Sequence, residues 1–225
     1  MKPLKHHYWR KDWYKSLETV VSDSQSVTWY KYRDYCQAQE NGLRKQAFEH
    51  LDRFLESICS QSLENRLAFV RWIMPIAHQS PNFEQLLPYP IIEKLIRITL
   101  SQAVEQDPHD PDLLFWTGHL LRDQDLLQKA VEVSSEHVDS RTMLINWILD
   151  CPDFATHHLP DYFIGDPANA LEACDDAERL LHSSLPADRT QMFTGEILEY
   201  RKLIKGYISS QQKPANGEQS AAPNP

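Results

Sequence analysis

Residues 63–77 read LENRLAFVRWIMPIA, and apolar side chains occupy nearly every side of a helix drawn through them. A helix that is apolar all round is buried on all sides, so this segment is predicted to lie at the centre of the fold. Pro75 is expected near the end of that helix, because proline has no N–H to continue the hydrogen-bond ladder. A central segment of this kind indicates a helical protein.

Amphipathic helices are predicted on both sides of this segment. Apolar residues recur at helical spacing in most of the chain, for example at Leu43, Ala47, Leu51, Phe54 and Ile58. No run alternates with the period of a strand for long enough to build a sheet. The sequence therefore predicts an all-α protein of about nine or ten helices.

The composition agrees with that fold class. The chain has 225 residues, of which 41% are hydrophobic and 24% charged, and it contains six glycines. Rossmann units, phosphate loops and all-β folds need glycine at turns with positive φ and where backbones approach closely, so this number disfavours them. The apolar and charged fractions also exclude a wholly disordered chain, a collagen-like repeat and a disulfide-dense scaffold.

Two pairs of residues predict where helices begin. Asp110 precedes Pro111 and Asp166 precedes Pro167, which places a carboxylate acceptor before a proline that has no amide to leave unpaired. Between them, residues 139–150 are predicted to form a helix and residues 151–166 a long ordered loop. One domain is expected over residues 1–210, followed by a disordered tail over 211–225 that has almost nothing to bury.

The acidic charge is concentrated in one part of the chain. The net charge is −9 overall, but residues 1–102 carry +3 and residues 103–188 carry −14. A field of that sign attracts a basic partner and repels nucleic acid. The alternative is that these carboxylates only keep the protein soluble.

The remaining sequence features favour a cytoplasmic protein with reduced thiols. No CxxC pair is formed by the four cysteines, which are Cys36, Cys59, Cys151 and Cys174, so reduced and mostly buried thiols are expected. The first residues lack the apolar region of a secretory signal, and the longest apolar stretch is interrupted by Arg71 and Pro75. Neither a membrane span nor a cofactor is expected.

Small and apolar residues after position 100 follow a repeat-like spacing. The positions are Leu100, Ala103, Pro108, Leu114, Gly118, Leu121 and Ala130. In spacing they resemble a tetratricopeptide repeat, and the match ends at Ser134, His137 and Thr142. The resemblance covers about residues 100–142 and implies antiparallel helix pairs in a TPR-like, α-solenoid-like arrangement. The alternative is two helices that form an ordinary α-hairpin.

The same resemblance implies a concave binding surface formed by the first helix of each repeat. By position its groove residues are Asp112, Phe115, His119, Arg122 and Asp123. The residues expected to face the core are Leu113, Leu114, Gly118 and Leu121. Two carboxylates, an aromatic ring and an imidazole suit a basic peptide or a basic protein surface.

The predicted loop over 151–166 collects metal-ligating residue types. Thiolate, imidazole and carboxylate are ligands that zinc prefers, and the loop offers Cys151, His157, His158 and Asp161. Adjacent histidines point in divergent directions, however, and no HExxH, CxxC or HxxxH spacing occurs. A hydrogen-bonded structural loop without a metal is the favoured interpretation. Its apolar residues, which are Leu159, Tyr162, Phe163 and Ile164, would then pack onto the helices.

An enzymatic alternative rests on the stretch RWIMPIAH, residues 71–78. It loosely resembles the all-α ribonucleases of the HEPN class, which carry an arginine ahead of a histidine on a helix. Arg71 and His78 are about two turns apart and are expected to share a face. The resemblance implies that the arginine steadies a phosphate while the imidazole moves a proton. Trp72 departs from the polar residue of that family, and Pro75 disturbs the turn between the pair.

These observations favour a non-enzymatic, cytoplasmic protein-binding module with an acidic surface. Its most concrete form is an immunity or antitoxin protein that neutralises a basic, nuclease-type toxin. In that role carboxylates steer the encounter with a cationic active site and occupy it where phosphate would sit. A general TPR-like adaptor or scaffold differs from this function only in the identity of its partner.

Overall fold

The computed structural model describes residues 7–80, 83–181 and 185–211, with side chains from residue 15 onward. This part of the chain contains helices, turns and loops but no strand, which confirms the all-α prediction. It has eleven helices when the continuous helix over residues 89–106 is counted once, slightly more than expected. Within the described residues, no helix is both long enough and apolar enough to cross a membrane.

The helices form two compact units, Met1–Asp123 and Gln124–Pro225, called unit 1 and unit 2 below. This division differs from the single domain over residues 1–210 that the sequence predicts, and from the charge boundary after residue 102. The difference has a physical reason, because charge follows the composition of the surface whereas a unit is defined by the helices that share a core.

Unit 1 contains the central segment and the helices on either side of it. Its elements are α1 (His7–Ser22), a 3₁₀ turn (Ser24–Val27), α2 (Tyr30–Glu40), α3 (Arg44–Cys59), α4 (Leu63–His78), α5 (Phe83–Leu86), α6 (Tyr89–Ile91), α7 (Arg97–Gln106) and α8 (Pro111–Leu121). A π-helical stretch, Ile92–Ile96, joins α6 to α7. Helix α4 includes Pro75 and buries Phe69, Val70 and Ile73, as expected for a central helix.

Aromatic rings fill the centre of unit 1. The Phe69 ring contacts Trp29, Tyr32, Phe54 and Trp72, with centroid distances of 4.8 to 5.8 Å. Tyr32 is fully buried, and its hydroxyl donates to the Leu86 carbonyl oxygen at 2.5 Å. That bond satisfies a polar group that would be costly to leave unpaired in the core, and it holds the end of α5 against α2.

The described residues of unit 2 form four helices. They are α9 (Gln124–Val133), α10 (Val138–Thr156), α11 (Pro167–Leu181) and α12 (Ala187–Gln211). Helices α9, α11 and α12 all pack against α10, and α11 also packs against α12. The shared core includes Ile145, Leu149, Cys174, Phe193 and Ile197.

Both predicted proline-based helix starts are confirmed. The Asp110 carboxylate accepts from the amides of Asp112 at 2.9 Å and Leu113 at 3.1 Å. The Asp166 carboxylate accepts from the amide of Ala168 at 2.8 Å. Each aspartate therefore satisfies amide groups that have no partner within the first turn of a helix.

The predicted loop over 151–166 is wrong in its first six residues, because α10 continues through Pro152 to Thr156. Pro152 and Ala155 are buried, and the Thr156 hydroxyl donates to the Pro152 carbonyl oxygen at 2.7 Å. Burial of this last part of the helix offsets the hydrogen bond that proline cannot make. Helix α12 also includes Gln211. The rest of the predicted tail lies outside the described residues.

The four cysteines are all free thiols, and half of them are buried. Cys36 and Cys174 lie in the cores of unit 1 and unit 2, whereas Cys59 and Cys151 are exposed. Burial raises the pKa of the Cys174 thiol to about 11. That thiol therefore stays protonated and packs as a small apolar side chain.

Candidate functional site

Helix α8, which carries the predicted groove residues, is mostly buried. All of its residues from Leu113 to Gly118 are buried, including Leu114, as expected for core positions. Phe115 is 1% exposed and therefore belongs to the core rather than to an exposed groove. Leu121, which was expected in the core, is 39% exposed because it ends the helix.

The other predicted groove residues lie in two different places on unit 1. His119 and Arg122 line a cavity of about 580 Å³ that α4, the segment 83–97 and α8 enclose. Neither Asp112, in the first turn of α8, nor Asp123, after its last turn, lines that cavity. The predicted groove residues therefore do not all line one cavity.

The Arg71 and His78 side chains point to different surroundings. Arg71 Nη2 lies 2.7 Å from Asp110 Oδ2, and Arg71 lines a recess separate from the cavity beside His78. The His78 ring contacts Trp116 and His119 at centroid distances of 5.5 and 5.6 Å. Arg71 and His78 therefore line different recesses, and the ribonuclease alternative stays a prediction.

His119 is the titratable group of this cavity whose chemistry is most affected by the fold. Its ring stacks on Phe115 at 6.0 Å, and its Nδ1 is buried with no hydrogen-bond partner among the described residues. Burial lowers the pKa of His119, and the nearby His78 and Arg122 lower it further. The imidazole is therefore held neutral more strongly than in the unfolded chain.

We expect this shift to make the protein less stable in mild acid. Below the ordinary histidine pKa of 6.5, the unfolded chain binds a proton at His119 that the folded chain does not, so the free energy of unfolding falls as pH falls. Glu93 and Arg97, which line the same cavity, form a salt bridge at 3.0 Å. His119→Gln should reduce the loss of stability between pH 7 and pH 5 in urea titrations. His109→Gln, at an exposed site, should retain the wild-type pH dependence, and equal slopes for the two variants would contradict this assignment.

A second surface lies on unit 2, where α10 ends and the following loop turns back. Four rings stand in a row, with centroid distances of 5.6 Å from Phe154 to His157, 3.8 Å from His157 to His158, and 4.7 Å from His158 to Tyr162. Phe154 is 61% exposed and Tyr162 is 52% exposed. The prediction that Tyr162 packs onto the helices is therefore wrong, because about half of its surface is exposed to solvent.

Exposed carboxylates flank this row of rings. Asp150 lies one helical turn before Phe154 on the same face of α10, and Asp161 directly precedes Tyr162. Both aspartates are exposed. We call this set the acidic aromatic surface, and it consists of Asp150, Phe154, His157, His158, Asp161 and Tyr162.

The loop that carries this surface is held to the body of unit 2. The Ile164 amide donates to the Ala155 carbonyl oxygen at 3.0 Å, and the Phe163 ring stacks on Tyr207 of α12 at 5.1 Å. The Tyr200 hydroxyl donates to Asp153 Oδ1 at 3.0 Å. These contacts fix the backbone on both sides of the exposed rings.

The structure does not bring the candidate metal ligands together. Within the described residues, no group of three or more histidine, cysteine, aspartate or glutamate side chains is placed to hold a metal ion. His157 Nδ1 donates instead to the Phe154 carbonyl oxygen at 2.9 Å, and the His158 ring stacks on Tyr162. Cys151 and Asp161 are exposed in the same segment, and the two histidine rings lie between the rings of Phe154 and Tyr162.

No family model, curated protein or solved structure matches this chain. The tetratricopeptide resemblance over residues 100–142 therefore stays a prediction based on the residues that carry it.

Proposed function

We propose that this chain is a non-enzymatic protein-binding module that binds a basic protein through the acidic aromatic surface of unit 2. The observation that carries the proposal is the row of exposed rings between Asp150 and Asp161. Aromatic faces attract guanidinium and ammonium groups, and adjacent carboxylates pair with the same groups. Clustered aromatic residues are also the usual centres of binding energy at protein interfaces.

The charge of unit 2 supports a basic partner. Residues 124–211 contain 15 acidic and 7 basic side chains, a net charge of −8, whereas residues 1–123 contain 16 and 15, a net charge of −1. Part of the basic charge in unit 2 is already neutralised, since Arg201 pairs with Asp175 and with Glu178. The remaining acidic field steers a cationic surface toward unit 2 and raises its association rate.

Neutralisation of a basic effector is the role that suits such a surface. An immunity or antitoxin protein of this kind covers the cationic active site of a nuclease-type toxin, with carboxylates where phosphates of the nucleic acid would bind. A nucleic-acid-cleaving toxin acts where its substrate is, so the proposal assigns the protein to the cytoplasm. A TPR-like adaptor with a different basic partner would use the same contacts.

The first test measures binding after removal of the exposed rings. The full chain is used to isolate its partner from the native lysate, and the affinity for the purified partner is then measured by calorimetry. Phe154→Ala with Tyr162→Ala should weaken binding by at least about thirtyfold, because two exposed aromatic anchors are lost. Far-ultraviolet circular dichroism should stay unchanged, since both side chains are largely exposed.

A pair of charge-reversed variants separates specific contacts from the general field. Asp150→Lys with Asp161→Lys should weaken binding more than Glu132→Lys with Glu199→Lys, although both change the net charge equally. Wild-type affinity should also fall with added salt, because exposed charge pairs are screened. Capture of no basic protein, or equal weakening by both pairs of reversals, would refute the proposal.

A further inference from the structure

The cavity of unit 1 has the dimensions and the boundary of a small-molecule site. Its volume is about 580 Å³, and its walls come from α4, the segment 83–97 and α8. Cavities of about 300 to 1,000 Å³ are typical of sites that enclose drug-sized ligands. This cavity lies in a different unit from the acidic aromatic surface, so its occupancy is independent of the proposed function.

Most of the lining is apolar. The lining includes Trp116, Tyr89 and Phe83, which are 7%, 74% and 48% exposed. Large apolar side chains of this exposure are seldom gathered around one cavity without a ligand or a partner. Leu87, Ile92 and Leu120 complete an apolar boundary that suits a flat ring system or a short aliphatic chain.

The polar groups of the cavity favour an anion. Arg97 is paired with Glu93 at 3.0 Å, but Arg122 forms no salt bridge with any described residue. Arg122 ends α8 in a left-handed conformation with φ 54°, one turn after His119. The buried and unpartnered Nδ1 of His119 lies on the ring that lines the same cavity. The cavity thus combines a mostly apolar lining with the guanidinium of Arg122, which no carboxylate of a described residue pairs with in a salt bridge.

We propose that the unit 1 cavity binds a small amphipathic organic acid, with its apolar body on Trp116 and Tyr89 and its carboxylate on Arg122. A guanidinium binds a carboxylate with a charge-assisted and often bidentate hydrogen bond. A basic or neutral ligand of the same shape gains only the apolar contacts.

The test compares two probes of the same shape in the full-length protein. Calorimetry with 2-naphthoate and with neutral 2-naphthamide should show that the acid binds about tenfold more tightly, as expected for one charge-assisted pair. Arg122→Gln should remove that preference while leaving the affinity for 2-naphthamide unchanged. Arg53→Gln, which removes an exposed arginine of α3 outside the cavity, should keep the preference of the wild type.

A second variant tests the position of the apolar body. Tyr89→Ala should weaken both probes by a similar factor, and the exposure of Tyr89 makes a folding defect from this change small. Nuclear magnetic resonance should show the Trp116 indole N–H signal shifting on addition of 2-naphthoate. Failure of 2-naphthoate to bind, equal affinity for the two probes, or a preference that survives Arg122→Gln would overturn the proposal. If the cavity accepted only the acidic side chain of a protein partner, 2-naphthoate would not bind, and the proposal would be overturned.

Discussion

Phe69→Ala is expected to lower the free energy of unfolding by about 4 kcal/mol, which is a large part of the stability of a typical domain. Phe69 is 0% exposed, and its ring is in contact with four other aromatic rings. Alanine removes the buried ring and leaves a cavity that neighbouring rings cannot easily fill, because they are held by contacts of their own. Tyr32, for example, is fixed by its hydrogen bond to Leu86.

Urea titration followed by circular dichroism measures this change. The transition midpoint should move to a lower urea concentration. The dependence of stability on denaturant should stay the same, because wild type and variant expose nearly the same surface on unfolding. Phe83→Ala is the matched control, because Phe83 is a phenylalanine of the same unit that is 48% exposed. Its loss should be below about 1 kcal/mol. Similar losses for the two variants would show that Phe69 is not the centre of the core.

The features that sequence reasoning predicts best are those decided by neighbouring residues. The central position of α4 follows from its apolar residues alone, and the helix starts at Asp110 and Asp166 follow from the chemistry of an aspartate before a proline. Pro152 shows the limit of such local rules. Its place inside α10 depends on burial against other helices of unit 2, which no local rule for proline contains.

The candidate sites are harder to predict because they depend on exposure and on contacts between distant segments. The sequence identifies His157 and His158 as candidate metal ligands in a loop whose favoured interpretation is structural, and it expects Tyr162 to pack onto the helices. Only the fold shows that the histidine rings lie between Phe154 and Tyr162. The sequence does contain a signal for the exposure of Phe154. Its neighbours on the helix include the polar residues Asp150, Asp153 and His157.

The exposure of residues on α8 also depends on contacts with distant segments. Two of the residues selected by positional transfer from a repeat family, His119 and Arg122, line the cavity. The same transfer also selects Phe115, which the fold buries, and two aspartates that lie elsewhere. The predicted groove is acidic and suits a basic partner, whereas the charged residues that line the cavity favour an acidic ligand.

Arg141 is expected to be the most sensitive charged residue of unit 2. It is 5% exposed, and its guanidinium donates to the Leu180 carbonyl oxygen at 3.0 Å and to the Ser135 carbonyl oxygen at 2.9 Å. The side chain thereby connects α10 to the end of α11 and to the turn after α9. Arg141→Ala leaves both carbonyl groups without this donor and should lower the free energy of unfolding by about 3 kcal/mol.

Two further variants separate lost hydrogen bonds from lost packing. Arg141→Met keeps most of the apolar stem and removes a charge that is costly to bury, so its loss should be about 1 kcal/mol smaller than that of alanine. Arg179→Ala removes an exposed arginine paired with Asp176 in the same unit and should cost less than about 1 kcal/mol. Because α10 carries part of the acidic aromatic surface, Arg141→Ala should also affect binding of the basic partner. Binding should weaken only at temperatures at which unit 2 begins to unfold, and it should be unchanged at lower temperatures. A loss no larger than that of Arg179→Ala in urea titrations would mean that water replaces the guanidinium at both carbonyl groups.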